Sequence, residues 1–139
     1  MTDWLTVLTT TDSPEKAQAL ARVAVEARVA ACAQIAGPVT SVYRWRGEVE
    51  AAQEWQVLFK TTAARYDALE ACLRAAHDYE TPEIIATPVV RGDAAYLRWI
   101  EEETARDAQR DVAQPPVRGQ AQDSDAGPGT RHGGAGAAQ

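Results

Sequence analysis

The chain has 139 residues, of which 45% are hydrophobic and 24% charged, a composition typical of one soluble globular domain that folds without disulfide or metal staples. Its formal net charge of −6 argues against nucleic-acid binding. The sequence shows neither a basic-plus-apolar leader nor an apolar run of membrane-spanning length, and two cysteines, Cys32 and Cys72, are too few for a disulfide framework. We therefore expect a reduced, cytoplasmic protein with no membrane partner.

The N-terminal part of the chain predicts a strand followed by a helix. Residues 4–11 are rich in Thr, Val and Leu, as in a short strand. Asp12 or Ser13 can cap the next element, and Pro14 suits the first turn of a helix. Apolar residues recur at helical spacing from there, so we expect a helix over residues 13–30 with an alanine-rich packing face.

The middle of the chain alternates between apolar and polar residues and predicts a long β-hairpin over residues 39–61. The extended pattern begins at Ala33 and is interrupted by Gly37-Pro38, which predicts a bulge or bend because proline cannot donate to a strand ladder. Aromatic side chains on hairpin strands typically pack across strands or at an interface. We expect this packing for Tyr43, Trp45 and Trp55.

The remaining pattern completes the order βαββαβ plus a terminal helix. A helix is predicted over residues 63–76, a strand over 83–90, and a last helix capped by Gly92-Asp93. This order indicates an α+β, ferredoxin-like fold, in which two helices cover one face of an antiparallel sheet. Little helix remains for the other face, so we expect the aromatic hairpin to cover it in a partner subunit.

The folded domain is predicted to end near residue 106. Residues 107–139 contain no aromatic residue and no apolar periodicity, so they cannot bury enough apolar surface to offset the chain entropy lost on folding. We predict a domain over residues 1–106 and a disordered tail over 107–139, in which His132 is an isolated surface residue.

Three side chains are candidate metal ligands: Cys32, His77 and Glu83. Cys32 offers a soft thiolate for Cu(I) or Zn(II), although a cysteine after an alanine-rich helix is also a typical small core residue. His77, at a predicted helix end, either binds a metal together with Glu80 or Glu83 or stabilises the helix dipole. Glu83 can also be a solvated strand end or form an ion pair with Lys60 or an arginine.

Lys60 interrupts an otherwise apolar strand and points away from Val57 and Phe59. It is either an edge-strand charge that prevents aggregation or an anion contact at a cleft between subunits. A catalytic function would need a nucleophile and a base within reach of each other. Cys32 and His77 are the one pair of suitable chemistry, and their separation cannot be determined from the sequence.

Four segments occur in order within residues 4–103: Ala30–Ile35, Ser41–Gly47, Glu54–Thr61 and His77–Ala86. In this order and at these separations they resemble the CutA family of divalent-cation tolerance proteins. Two positions depart from the family's usual pattern. Asp78 follows the histidine where the family often has proline, and Gln34 stands where it often has asparagine.

The resemblance implies a ferredoxin-like subunit that forms a compact homotrimer with the architecture of PII signalling proteins. It also implies a cytoplasmic, non-enzymatic protein associated with tolerance of copper and other divalent cations. We expect metal ions, copper or another divalent cation, near Cys32, His77 and Glu83 at subunit clefts, and no organic cofactor. The alternative is a trimeric signalling or binding module that takes a small anionic ligand at these clefts, with Lys60 among its contacts.

Overall fold

A computed structural model describes residues 3–105 and centres on a four-stranded antiparallel sheet. The strands are β1 (Trp4–Thr11), β2 (Cys32–Trp45), β3 (Glu48–Thr62) and β4 (Ile84–Val89), and the helices are α1 (Pro14–Glu26), α2 (Tyr66–Ala76) and α3 (Ala94–Glu103). Their spatial order is β2-β3-β1-β4, which leaves β2 and β4 as the outer strands. The predicted βαββαβ order with a C-terminal helix is confirmed, whereas the predicted tail over 107–139 lies outside the described residues.

One face of the sheet packs against α1 and α2 and forms the core. Alternate residues of the central strands point to this face because side chains alternate along a strand. Each large apolar side chain buried there contributes about 1.5–3 kcal/mol relative to exposure. The largest apolar members are Val7, Val57 and Phe59 from the sheet and Leu20, Leu69 and Leu73 from the helices.

Helix α1 begins as predicted but ends earlier than predicted. Ser13 is the cap, and its Oγ accepts a hydrogen bond from the amide of Lys16 at 3.1 Å. The helix ends at Glu26 because Arg28 adopts a left-handed conformation with φ of 61°, which reverses the chain toward β2. The apolar pattern continued to residue 30 because Val29 and Ala30 are buried in the core without being helical.

The β2–β3 hairpin is long and extends beyond the rest of the sheet. Strand β1 pairs with β3 only from Trp55 onward, so residues 48–54 and their partners in β2 project past it. The predicted irregularity at Gly37-Pro38 is a register shift between Ala36 and Val39. The tip is a tight turn in which Arg46 and Gly47 both have positive φ, as favoured in two-residue hairpin loops.

The second face of the sheet, opposite α1 and α2, is here called the open face. Helix α3 lies over part of it, since the Trp4 Nε1 donates to the carbonyl oxygen of Leu97 at 2.9 Å. Asp93 caps this helix by accepting a hydrogen bond from the Tyr96 amide at 3.0 Å. None of the helices within residues 3–105 has the length and apolar character needed to span a membrane.

Candidate functional site

The side chain of His77 is held inside the fold by two hydrogen bonds. It is only 1% exposed and follows the last residue of α2. Its Nε2 lies 2.8 Å from the carbonyl oxygen of Thr10, and because a carbonyl can only accept, Nε2 carries the proton. Its Nδ1 accepts a hydrogen bond from the amide of Tyr79 at 3.1 Å. Both ring nitrogens are thus engaged, so a metal ion could bind His77 only by displacing one of these partners.

The loop from residue 77 to residue 83, here called the His77 loop, is also fastened to the β2–β3 hairpin. The Tyr79 hydroxyl donates to Glu54 Oε2 at 2.7 Å, and Glu54 is buried at the base of the projecting part of the hairpin. Burial, and then the Glu54 carboxylate, raise the pKa of Tyr79 far above its ordinary value. Near the hairpin tip, Arg46 pairs with Glu80 at 3.1 Å.

Asp78 ties the same loop to α1 through Lys16. The Lys16 Nζ lies 2.6 Å from Asp78 Oδ2 and 2.9 Å from Asp12 Oδ1. The hydrogen bond from Lys16 lowers the pKa of Asp78 below its ordinary value, and the two carboxylates raise the pKa of Lys16. All three side chains are well exposed, so this cluster adds little to stability.

Cys32 is the first residue of β2, lies on the open face of the sheet and contacts α3. Its Sγ lies 3.6 Å from the Tyr96 hydroxyl. Burial, and then the Cys32 thiol, raise the pKa of Tyr96 to about 12. The residue directly opposite Cys32 in β3 is Lys60, whose ammonium group disfavours a metal cation beside the thiol because like charges repel.

The sheet register separates Cys32 from His77. Cys32 is opposite Lys60, and Lys60 is opposite Thr6 of β1, whereas His77 binds the backbone of Thr10. Four residues along a strand correspond to about 13 Å. The two side chains therefore form no nucleophile–base pair within one chain.

Glu83 lies at the same end of the sheet as His77 and is exposed. It directly precedes β4, whose first residue, Ile84, is opposite Thr9. Within residues 3–105, no three His, Cys, Asp or Glu side chains come close enough together to hold a metal ion. The three candidate ligands consequently do not fit a metal ion within a single chain.

Sequence reasoning did not identify the partners that organise this region. Tyr79 and Glu54 are 25 positions apart, and Tyr96 is 64 positions from Cys32. No spacing signal marks such pairs, because they are brought together by strand register and loop path. Trp55 is half-buried and packs against the core, whereas Tyr43 and Trp45 are exposed; the interface packing of these rings stays a prediction.

The family of this chain is established by its similarity to known proteins. The sequence profile described as CutA1 divalent ion tolerance protein matches residues 5–103. The chain belongs to the CutA family. The divalent-cation tolerance protein CutA of Thermus thermophilus is 44% identical over 98 residues, covering 70% of this chain and 95% of that protein. The family resemblance predicted from four sequence segments is therefore confirmed.

Solved CutA structures share the fold. CutA from Xylella fastidiosa superimposes with a TM-score of 0.72 at 38% identity, covering 74% of this chain and 99% of that one. The protein from Archaeoglobus fulgidus, described as a periplasmic divalent cation tolerance protein, has a TM-score of 0.70 at 33% identity and covers 76% and 100%. The ferredoxin-like architecture is thus that of CutA proteins, whose family names describe no catalytic activity.

Proposed function

We propose that this CutA protein is a cytoplasmic homotrimer that contributes to divalent-cation tolerance by binding metal ions, copper among them, without acting as a catalyst. The names of the family and of its Thermus thermophilus relative support the link to divalent cations. A non-catalytic role is supported by the separation of Cys32 from His77, the one nucleophile–base pair that the sequence indicated.

The main support for the trimer is the exposed apolar surface of the β2–β3 hairpin and of β4. Val42 of β2 is 69% exposed, Val49 of β3 is 63% exposed, and Ile85 of β4 is 54% exposed. The rings of Tyr43 and Trp45 add aromatic area on the same hairpin. Exposed apolar and aromatic surface next to unpaired strand edges is typical of subunit interfaces.

Metal binding would require ligands from more than one subunit. Cys32, His77 and Glu83 do not meet in one chain, so a complete coordination sphere has to be assembled across a subunit cleft. Cys32 is the strongest soft ligand of the three, because its thiolate suits Cu(I) better than Mg²⁺ or Ca²⁺, which prefer several oxygens. His77 would have to give up a hydrogen bond to take part.

A copper titration of the reduced full chain tests this proposal. We expect Cu(I) to bind more tightly than Mg²⁺ or Ca²⁺, and Cys32→Ser and His77→Ala each to weaken copper binding tenfold or more, roughly 1.4 kcal/mol. Cys72→Ser is the matched control, since Cys72 lies on α2 and packs against the core. Binding should also weaken as the pH falls, because thiolate and imidazole ligands must be deprotonated to bind a metal.

Two results would contradict the metal site. Copper binding to Cys32→Ser and His77→Ala with the parent's affinity would place the metal elsewhere. An equal loss in Cys32→Ser and Cys72→Ser would mean that copper reacts with any thiol of the chain. Mass measurements on the same variants show whether the assembly, rather than the ligand, was lost.

A further inference from the structure

Four polar side chains form a single row across the whole sheet on its open face. Cys32 of β2 is directly opposite Lys60 of β3, Lys60 is opposite Thr6 of β1, and Thr6 is opposite Thr87 of β4. Directly opposite residues share a face of the sheet and lie about 4.5–5.5 Å apart at Cβ. We call these four residues the polar row.

The neighbours of the polar row on the same face are mostly apolar, with Gln34 of β2 and Thr62 of β3 as the polar exceptions. On one side, Leu58, Leu8 and Ile85 occupy the next positions on the same face of β3, β1 and β4. On the other side, Trp4 is opposite Val89. An ammonium group among apolar neighbours is costly unless a group of opposite charge accompanies it.

The structure gives Lys60 neutral partners. Its Nζ donates to the Gln34 amide oxygen at 3.1 Å and lies 5.8 Å from the ring centre of Tyr96. Within residues 3–105, no Asp or Glu forms an ion pair with Lys60. By contrast, Lys16, the other lysine of the chain, is paired with two carboxylates. The positive charge of Lys60 is thus not neutralised by this part of its own chain.

Hydrogen-bond donors are in excess around Lys60. An ammonium has three N–H groups, and one of them is used by Gln34. The Tyr96 hydroxyl, whose oxygen lies 3.6 Å from Cys32 Sγ, is a further hydrogen-bond donor on this face. Thr6, directly opposite Lys60, adds a hydroxyl group that can donate or accept, and Thr87 adds another one strand further away. Such a set complements a ligand that only accepts hydrogen bonds and carries negative charge.

We propose that the polar row, together with Gln34 and Tyr96, binds a small oxyanion, a carboxylate or a phosphate group, through Lys60. This site goes beyond metal binding: it shares Cys32 with the proposed copper site, but its anion contacts, Lys60 and the hydroxyls, are not ligands for a soft cation. If the open face contributes to a cleft between subunits, the anion neutralises the ammonium group there.

The test uses the metal-free, reduced full chain in a buffer whose only abundant anion is chloride. Inorganic phosphate and malonate are added separately, so that phosphate and carboxylate chemistry are distinguished, and the Cε–Hε NMR signals of the two lysines are followed. We expect saturable binding in the millimolar range or tighter, with a shift of the Lys60 signal and none of Lys16. Lys60→Met should weaken binding at least tenfold, whereas Lys16→Met removes the same charge and should bind like the parent.

Two further variants separate recognition from folding. Lys60→Arg keeps the charge and should retain measurable binding, and Tyr96→Phe should weaken binding severalfold without changing net charge. Equal shifts of both lysine signals, or equal affinity of Lys60→Met and the parent, would overturn the site. Absence of binding by the parent, with dissociation of the assembly in Lys60→Met, would also overturn it and identify Lys60 as an ion-pair partner between subunits. The copper titration of Cys32→Ser and His77→Ala tests the metal site separately, with Lys60 left in place.

Discussion

The hydrogen bond between Tyr79 and Glu54 joins two parts of the chain that have no local relation in sequence. It connects the His77 loop to the base of the β2–β3 hairpin, and its acceptor is a largely buried carboxylate. Hydrogen bonds to charged groups contribute about 1.5–3 kcal/mol, and a buried carboxylate left without a donor costs more than a neutral group. This hydrogen bond therefore helps to fix the positions of the His77 loop and of the β2–β3 hairpin relative to each other.

Removing the Tyr79 hydroxyl tests that role. We expect Tyr79→Phe to lower the free energy of unfolding by about 1–3 kcal/mol, because Glu54 would stay buried without its donor. Glu54→Gln keeps an acceptor for the hydroxyl and should cost less. Urea denaturation measures both, with Tyr43→Phe, at an exposed ring, as the matched control. A loss below about 0.5 kcal/mol for Tyr79→Phe, as at ordinary surface sites, would contradict the assignment.

The sequence indicated His77 as an important residue but could not give its contacts. A histidine at a helix end beside two carboxylates fits a metal ligand as well as a structural residue. Its hydrogen-bond partner Thr10 lies 67 positions earlier, and only the path of the loop brings the two together. Its role as a metal ligand remains a prediction, which the copper titration tests.

At the scale of elements, the bulge in β2 depends on Gly37. Its φ is +154°, and a Cβ atom there would lie 2.7 Å from the Trp55 Cδ1 and 3.1 Å from the Glu54 carbonyl oxygen. Gly47, at the hairpin tip, also has a positive φ of +85°, but a Cβ atom there would have no heavy atom within 4 Å outside its chain neighbours. Both glycines have a backbone conformation that strains other residues, but only Gly37 is also crowded. Comparing alanine substitutions at the two positions therefore isolates the effect of crowding.

We expect Gly37→Ala to be more destabilising than Gly47→Ala. Left-handed backbone costs a non-glycine residue about 1–2 kcal/mol, and this cost applies at Gly47. Crowding against Trp55 and the strand backbone adds about 1–3 kcal/mol at Gly37. Thermal unfolding of both variants checks the order, and an equal or smaller loss in Gly37→Ala would mean that the bulge adapts to a side chain.

Most elements follow from local patterns, and the exceptions have tertiary causes. Period-two alternation predicted the hairpin, and Gly37-Pro38 predicted its irregularity, because both depend on residues adjacent in sequence. The end of α1 was predicted four residues too late. Val29 and Ala30 are apolar because they are buried in the core, although they lie beyond the end of the helix. Burial alone cannot reveal where a chain reverses.

In the whole molecule, the order of elements predicted the fold, whereas the sequence named candidate residues such as Lys60 but could not show which residues lie together. The polar row depends on the pairing of four strands, and three of its members, Cys32, Lys60 and Thr87, come from distant parts of the chain. A metal site shared between subunits depends on contacts between chains, and residue spacing within one chain does not reveal such contacts. Assembly is therefore the property on which the functional account rests.

The mass of the full chain in solution shows whether the protein is a trimer. Sedimentation equilibrium in reducing, metal-free buffer should give about 45 kDa, three times the 15.0 kDa of one chain. The double variant Val42→Asp/Val49→Asp should shift the mass toward one chain, because it places charges on the most exposed apolar part of the hairpin. A parent mass of one chain at micromolar concentration would contradict the trimer and any site shared between its subunits.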